Sequence, residues 1–332
     1  MNTNVLPHLA VHEYENFELH TLVIESEVLR QNPLGDSTRR TCPVLVPRGN
    51  DLPVVVMLSG FTGNGPTAFN VKSFEVGGSI KLDRAVSRGE APRAVYIYVD
   101  AMTFWGGSQF INSPGMGRYE DFLVNEVCEA VKAKFPVGDQ WCVMGGSSGG
   151  YGALHLASKY PERFGVAVAL APDSFFEASL LPEIRTALPI LTRMGGVRAV
   201  RDELISGKLM KRKDWHVILN AVAMGLCYAP LENGEPVWPI DPETGLVIES
   251  IWAEWSKWDP LVFLSKRKLA SSFYLDAGDR DQFQLQYGTR QIRDLLRKQG
   301  ADVTWVGFEG THFDLGDRRE PAWRWLSGLW RS

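Results

Sequence analysis

One pair of serines stands in a glycine-rich turn that could perform nucleophilic chemistry. The apolar, strand-like run WCVMG (141–145) leads through GSSGGYG into the helix-like stretch ALHLASKY. A G-x-S-x-G pattern between a strand and a helix is typical of a nucleophile turn, because only small neighbours let strand and helix approach closely around an exposed serine. The spacing fits Ser147 and Ser148 equally well.

A serine hydroxyl needs a base, and histidine, with an unperturbed pKa of about 6.5, suits that task at neutral pH. His312 lies in a loop after a C-terminal strand-like run, where the order serine, acid, histidine places the base. The preceding stretch SFYLDAGDRDQF contains three candidates for the acid that orients the imidazole. These candidates are Asp276, Asp279 and Asp281. The other histidines precede the sheet, follow the serine turn or lie in a later insertion: His8, His12, His20, His155 and His216.

Acyl transfer also requires backbone N–H donors for the negative charge that develops on the carbonyl oxygen. The loop GFTGNGP after the strand-like PVVVML offers the N–H of Phe61, and Ser148 offers a second N–H beside Ser147. This loop lacks the G-K-[ST] ending of a nucleotide-binding P-loop. We therefore predict an oxyanion hole formed by Phe61 and Ser148.

Alternating strand-like and helical runs must position these residues. The strand-like runs cover 53–58, 94–100, 141–145, 166–172, 272–278 and 302–308, and they are apolar almost throughout. Such strands are typical of a parallel sheet covered by helices on both faces. The apolar residues of 119–135 recur at helical spacing and predict a helix with one apolar face. The stretch 21–46 predicts an antiparallel pair of strands at the sheet edge. The fold class is therefore α/β.

The alternation breaks between about Ser174 and Trp258, where helical pieces, prolines and tryptophans accumulate. An insertion after the carboxyl end of a strand lies above the crevice in which α/β proteins bind ligands. We interpret 174–258 as a cap inserted in a single domain that spans 1–332, with Tyr228 and Trp238 as candidate substrate-binding aromatics. The alternatives are an extension of the core or a contact between copies in a homo-oligomer.

Composition and charge limit the other partners. Hydrophobic residues make up 45% of the chain, and 35 Lys plus Arg against 39 Asp plus Glu give a formal charge of −4 without a long run of either sign. A nucleic-acid partner is not expected. The four cysteines are widely spaced and indicate buried thiols, and no pattern indicates a metal or another cofactor. No stretch is long and apolar enough to span a membrane, and we expect a cytoplasmic protein.

Several ordered motifs resemble one family of α/β-hydrolases. GGSSGGYGAL is similar to the GHSMGGHGAL stretch of the esterases that include esterase D and S-formylglutathione hydrolase, and LSGFTGN is similar to the LHGFTGN segment of the same family. INSPGMGRYEDFLVNEV, YLDAGDRDQF and EGTHFDLGD continue the likeness, which covers roughly 20–325. Enterochelin esterases, feruloyl esterases and mycolyltransferases are relatives of this family. Ser148 and Tyr151 depart from its usual methionine and histidine.

The resemblance implies an α/β-hydrolase fold and assigns the catalytic residues. It places the nucleophile on Ser147, and it places the acid three residues after Gly278, at Asp281, with His312 as the base. The function implied is hydrolysis of small-molecule carboxylic esters or thioesters through an acyl-enzyme. Acyl transfer to an alcohol, as in the mycolyltransferase relatives, and a non-catalytic binding protein are the alternatives.

Overall fold

The computed structural model describes residues 12–70, 76–267, 269 and 272–331. His8 and the first part of the N-terminal stretch lie outside these residues. From His12 onward the chain is tied to the rest of the molecule through Asp83, whose carboxylate accepts hydrogen bonds from the backbone N–H groups of Glu15 and Asn16.

The central sheet has eight strands: β1 Glu18–Glu25, β2 Arg39–Val46, β3 Leu52–Leu58, β4 Val95–Tyr98, β5 Val137–Gly146, β6 Val166–Leu170, β7 Ser272–Gly278 and β8 Asp302–Phe308. Their order in the sheet is β1-β2-β4-β3-β5-β6-β7-β8. Every pair from β4 to β8 is parallel, whereas β1 pairs with β2, and β2 with β4, in antiparallel fashion. The predicted antiparallel pair at one sheet edge is therefore confirmed.

Helices cover both faces of this sheet. One continuous helix, α2, consists of Tyr119–Asp121, the π-helical Phe122–Val127 and Cys128–Lys134. The other helices are α1 Gly78–Ser87, α3 Ser148–Lys159, α4 Leu180–Met194, α5 Val197–Ile205, α6 Trp215–Tyr228, α7 Glu249–Ser256, α8 Pro260–Ser265, α9 Leu285–Lys298 and α10 Arg319–Leu329. Short 3-10 turns occupy Gly65–Phe69, Leu209–Lys211 and His312–Gly316.

Alternate residues of the central strands enter two separate cores. Val54 and Val56 of β3 pack on the face covered by α2, α3 and α9, whereas Val55 and Met57 pack on the face covered by α1 and α10. Burial on both faces explains why the sequences of these strands are apolar almost throughout. The predicted α/β sheet with helices on both sides is confirmed.

The insertion between β6 and β7 carries helices α4 to α8. Apolar residues of α4 and α6, among them Ile184, Leu188 and Ile218, belong to the same buried cluster as α2 and the strands. The segment is therefore continuous with the main core on one side. Among the residues described here, no helix is both long and apolar enough to cross a membrane. All four cysteines are buried and free, as expected.

Candidate active site

The strand β5 ends in a sharp turn that presents Ser147. Its backbone has φ 57° and ψ −125°, a conformation that L-residues rarely adopt. The turn is fixed on both sides, because the Ser147 N–H donates to the Leu170 carbonyl at 2.8 Å and the Tyr151 N–H donates to the Ser147 carbonyl at 2.9 Å. Ser147 thus stands between the end of β5 and the first turn of α3, beside the end of β6.

Glycines around Ser147 are required by close backbone contacts. A Cβ atom on Gly145 would lie 2.4 Å from the carbonyl carbon of Gly149, and one on Gly149 would lie 2.5 Å from the carbonyl oxygen of Leu58. Both contacts involve main-chain atoms that cannot turn aside. The G-x-S-x-G pattern therefore has a packing cause: strand and helix meet at distances that exclude any side chain.

This packing predicts a stability effect. We expect Gly149→Ala to lower the free energy of unfolding by about 1–3 kcal/mol, because the added methyl group overpacks a rigid site. Thermal or urea unfolding measures the change. Gly165→Ala is the matched control, since a Cβ at Gly165 meets nothing within 4 Å. Equal stability of the two variants would contradict the explanation.

Asp281 and His312 form a hydrogen-bonded pair in the same region. The Asp281 Oδ2 atom lies 2.7 Å from His312 Nδ1, and the Asp281 side chain is fully buried. The other carboxylate oxygen accepts the Phe283 N–H at 2.9 Å, and the His312 N–H donates to the side-chain carbonyl of Gln282 at 3.0 Å. These contacts fix both the carboxylate and the loop that carries the imidazole.

The other two acid candidates have different partners. Asp279 accepts the backbone N–H of Gly310 at 2.9 Å and braces the loop before His312. Asp276 is buried and paired with Arg318 at 2.8 Å, and burial raises its pKa to about 6 although Arg318 and Tyr274 oppose the shift. Of the three candidates, the structure brings only Asp281 to the imidazole.

The hydroxyl of Ser147 faces a carboxylate that the sequence analysis did not single out. Ser147 Oγ donates to Asp173 Oδ1 at 3.3 Å, and Ser148 Oγ donates to Asp173 Oδ2 at 2.9 Å. The buried Gln109 contributes its side-chain amide, whose Nε2 lies 2.9 Å from Ser148 Oγ and 3.3 Å from Asp173 Oδ2. The hydrogen bonds found among the described residues do not include one between Ser147 and His312.

The turn after β6 holds Asp173 in this place. Phe175 in this turn has φ 51°, and the buried carboxylate of Asp259 accepts the N–H groups of Phe175 and Phe176 at 3.1 and 2.6 Å. Burial raises the pKa of Asp173, while its bonds to Ser148, Gln109 and Ser147 and the charge of His312 act in the opposite direction. A polar residue directly after a strand is the one sequence signal that could have marked it.

The two serines, Asp173 and His312 line one cavity of about 340 Å³. Its volume is within the range of small-molecule sites. Ser147, Ser148 and His312 line it together with Phe61, and residues of α4 and α6 of the insertion also line it. The lining residues from this insertion and its flanking turn are Asp173, Phe176, Ser179, Leu180, Glu183, His216, Asn220, Met224 and Tyr228.

The two aromatics predicted to bind substrate occupy different places. Tyr228 lines the cavity, although its side chain is almost completely buried. Trp238 is not among the described lining residues, and its ring packs at 5.9 Å from Trp255 and over Gly225. The structure therefore brings Tyr228 to the cavity and leaves Trp238 in the packing behind α6. The described residues contain no cluster of three or more His, Cys, Asp or Glu that could hold a metal ion.

Comparisons with known proteins agree with this architecture. The family model with the description "Putative esterase" matches residues 38–324. A ferulic acid esterase is 17% identical, with 95% of this chain and 98% of that chain covered and a TM-score of 0.57. An S-formylglutathione hydrolase from Agrobacterium tumefaciens is 16% identical, with 96% and 97% covered and a TM-score of 0.56. The enterobactin esterase FES from Shigella flexneri is 16% identical, with 95% and 60% covered and a TM-score of 0.54.

Proposed function

This chain belongs to the "Putative esterase" family and is a carboxylic ester hydrolase, and we propose that Ser147 attacks the ester carbonyl to form an acyl-enzyme. One observation carries the proposal. A serine on a strained turn shares a ligand-sized cavity with a histidine whose Nδ1 lies 2.7 Å from a buried carboxylate. A serine, a base and an acid that orients the base are the parts that acyl transfer requires.

Each residue has a separate task in this mechanism. His312 accepts the Ser147 proton through Nε2 and later returns it to the leaving alcohol, while Asp281 holds the Nδ1–H tautomer and stabilises the imidazolium. The N–H of Ser148, the first residue of α3, has no acceptor within its helix and can bind the oxyanion. The N–H of Phe61, on the facing loop, supplies the second donor. Water then attacks the acyl-enzyme with His312 as base.

Attack requires a change in the Ser147 side chain. Its hydroxyl donates to Asp173 in the free enzyme, so it must rotate toward His312 before its proton can be removed. Catalytic hydrogen bonds are often formed only in the substrate complex. We expect the side chain of Ser147 to rotate while the turn stays in place, because the turn is fixed by its backbone contacts.

A p-nitrophenyl ester tests the proposal. We expect a burst of p-nitrophenol equal to the enzyme concentration, or steady turnover if deacylation is fast, together with release of the free acid in water alone. A thioester of the same acid is expected to react through the same serine. Turnover that needs an added alcohol would identify an acyltransferase instead. The absence of both burst and turnover across acyl groups of different length and charge would contradict catalysis by Ser147.

The cavity wall formed by the insertion predicts an effect on substrate choice. We expect Met224→Ala to change kcat/KM for long acyl chains relative to short ones by about ten- to a hundredfold. The reason is that Met224 lines the cavity and its truncation enlarges the cavity. The control is Trp238→Ala, which lies behind the wall and should lower the melting temperature without changing the ranking. The cap assignment is wrong if Met224→Ala lowers kcat/KM equally for every ester.

A further inference from the structure

The cavity is acidic at the position where an ester would bind. Besides Asp173, it is lined by Glu183, whose carboxylate accepts the Asn220 amide and whose pKa is raised by burial and by the nearby Asp173. No lysine or arginine occurs among the described residues that line the cavity. Apart from the imidazoles of His216 and His312, no basic side chain in this lining accompanies the two partly buried carboxylates, so both are costly to ionise. A ligand that carries a positive charge would remove this cost.

Asp173 is also badly placed for hydrolysis of an uncharged ester. Its carboxylate lies 3.3 Å from the Ser147 oxygen and accepts the hydroxyl of Ser148, whose N–H is the proposed oxyanion donor. A negative charge at this position opposes the charge that develops on the carbonyl oxygen. It also accepts the Ser147 hydroxyl in a hydrogen bond that competes with the one to His312 required for proton removal. An ammonium group bound to Asp173 would neutralise the carboxylate and release the hydroxyl.

The distances limit where the ammonium group can be. A charge-assisted hydrogen bond to Asp173 is about 2.8 Å long, and Ser147 Oγ must reach the carbonyl carbon of the same molecule. These contacts place the nitrogen no more than about 9 Å from that carbon, a limit that the α- or β-ammonium group of an amino acid ester satisfies. Aromatic rings of Phe61, Phe176 and Phe283 line the same cavity and can face a cation as well as an apolar group.

We propose that the enzyme acts on esters of short amino acids, whose α- or β-ammonium group binds Asp173 with Glu183 as a second negative charge. The reaction is ordinary ester hydrolysis: water supplies the hydroxyl of the amino acid and the proton of the alcohol. This substrate class rests on the proposed function of Ser147. Asp173 is then a specificity residue that contacts the substrate.

Two esters of equal shape test the substrate class. Benzyl β-alaninate and benzyl butyrate differ by an ammonium in place of a methyl group, and benzyl alcohol release gives kcat/KM for both at pH 7. Comparing the ratio of the two values between wild type and variants cancels their different intrinsic reactivity. We expect Asp173→Asn to lower this ratio by about ten- to a hundredfold, with a fall for the cationic ester and a rise for butyrate. Glu183→Gln should lower it less.

Glu177→Gln is the matched control, because Glu177 is exposed on the same turn and is absent from the described lining of the cavity. Its ratio should equal that of wild type. If Asp173→Asn does not fold, the inference is tested by inhibition of the wild-type enzyme with benzyl butyrate as substrate. β-Alaninamide should then inhibit at least about tenfold more strongly than butyramide. Equal inhibition would overturn the inference.

The remaining outcomes separate this inference from the proposed function. Equal loss of both esters in Asp173→Asn would make Asp173 a residue that positions Ser147, and the substrate class would be wrong. The substrate class is also wrong if wild type, Asp173→Asn and Glu177→Gln have the same ratio of kcat/KM for the two esters while Ser147→Ala still abolishes turnover. Turnover that persists in Ser147→Ala would instead overturn the proposed function.

Discussion

Replacement of Ser147 by alanine is expected to lower kcat by at least about a thousandfold, with no loss of the folded structure. We propose that Ser147 supplies the attacking oxygen after its hydroxyl leaves Asp173 and turns toward His312. The adjacent Ser148 is almost completely buried, and its hydroxyl is hydrogen-bonded to Asp173 and Gln109. Turnover of a p-nitrophenyl ester and a thermal melt of each variant measure the effect.

Ser148→Ala is the control for this prediction. Its proposed contribution is a backbone N–H that alanine retains, and Gln109 still donates to Asp173 after the hydroxyl is removed. We expect a loss of less than about tenfold, the effect of one hydrogen bond. A fluorophosphonate probe followed by peptide mapping gives an independent answer. An adduct on Ser148 would show that the register of the motif is wrong.

The second large effect is expected for Asp281→Asn, which should lower kcat by about ten-thousandfold. The asparagine amide can donate to Nδ1 and so favours the wrong imidazole tautomer, although it occupies nearly the same volume. Steady-state kinetics and a thermal melt separate catalysis from folding.

Asp279→Asn is the matched control for the acid. Asp279 lies two residues before Asp281 and braces Gly310, so its loss should lower the melting temperature and leave most of kcat. If Asp279→Asn melts like wild type and is the more damaged enzyme, the acid must be reassigned. The same holds if Asp281→Asn retains most of its activity while folded.

Local chemistry in the chain determined the type of fold and the centre of the site. Apolar runs with helices between them predict a covered parallel sheet, because only strands buried on both faces lack alternation. The glycines around Ser147 predict a close turn, because no other residue fits there. These features can be predicted from the sequence because each depends on residues that are near one another along the chain.

Long-range neighbours were decided only by the tertiary structure. Spacing along the chain leaves Asp276, Asp279 and Asp281 open, and it is the family resemblance that assigns Asp281. Only the tertiary structure shows that this carboxylate contacts an imidazole 31 residues further along. Trp238 and Tyr228 belong to one aromatic-rich segment, yet packing of α6 turns only Tyr228 toward the cavity.

Asp173 shows most directly why contacts between distant residues cannot be predicted from local sequence patterns. The parallel register pairs Leu170 of β6 with Gly146 of β5, so the residues that follow these two strands leave the sheet side by side. Ser147 and Asp173 thereby come into hydrogen-bond contact although 26 residues separate them. The pairing of two strands, and the cavity that their ends share, depends on the packing of the whole sheet, which no local pattern around either residue specifies.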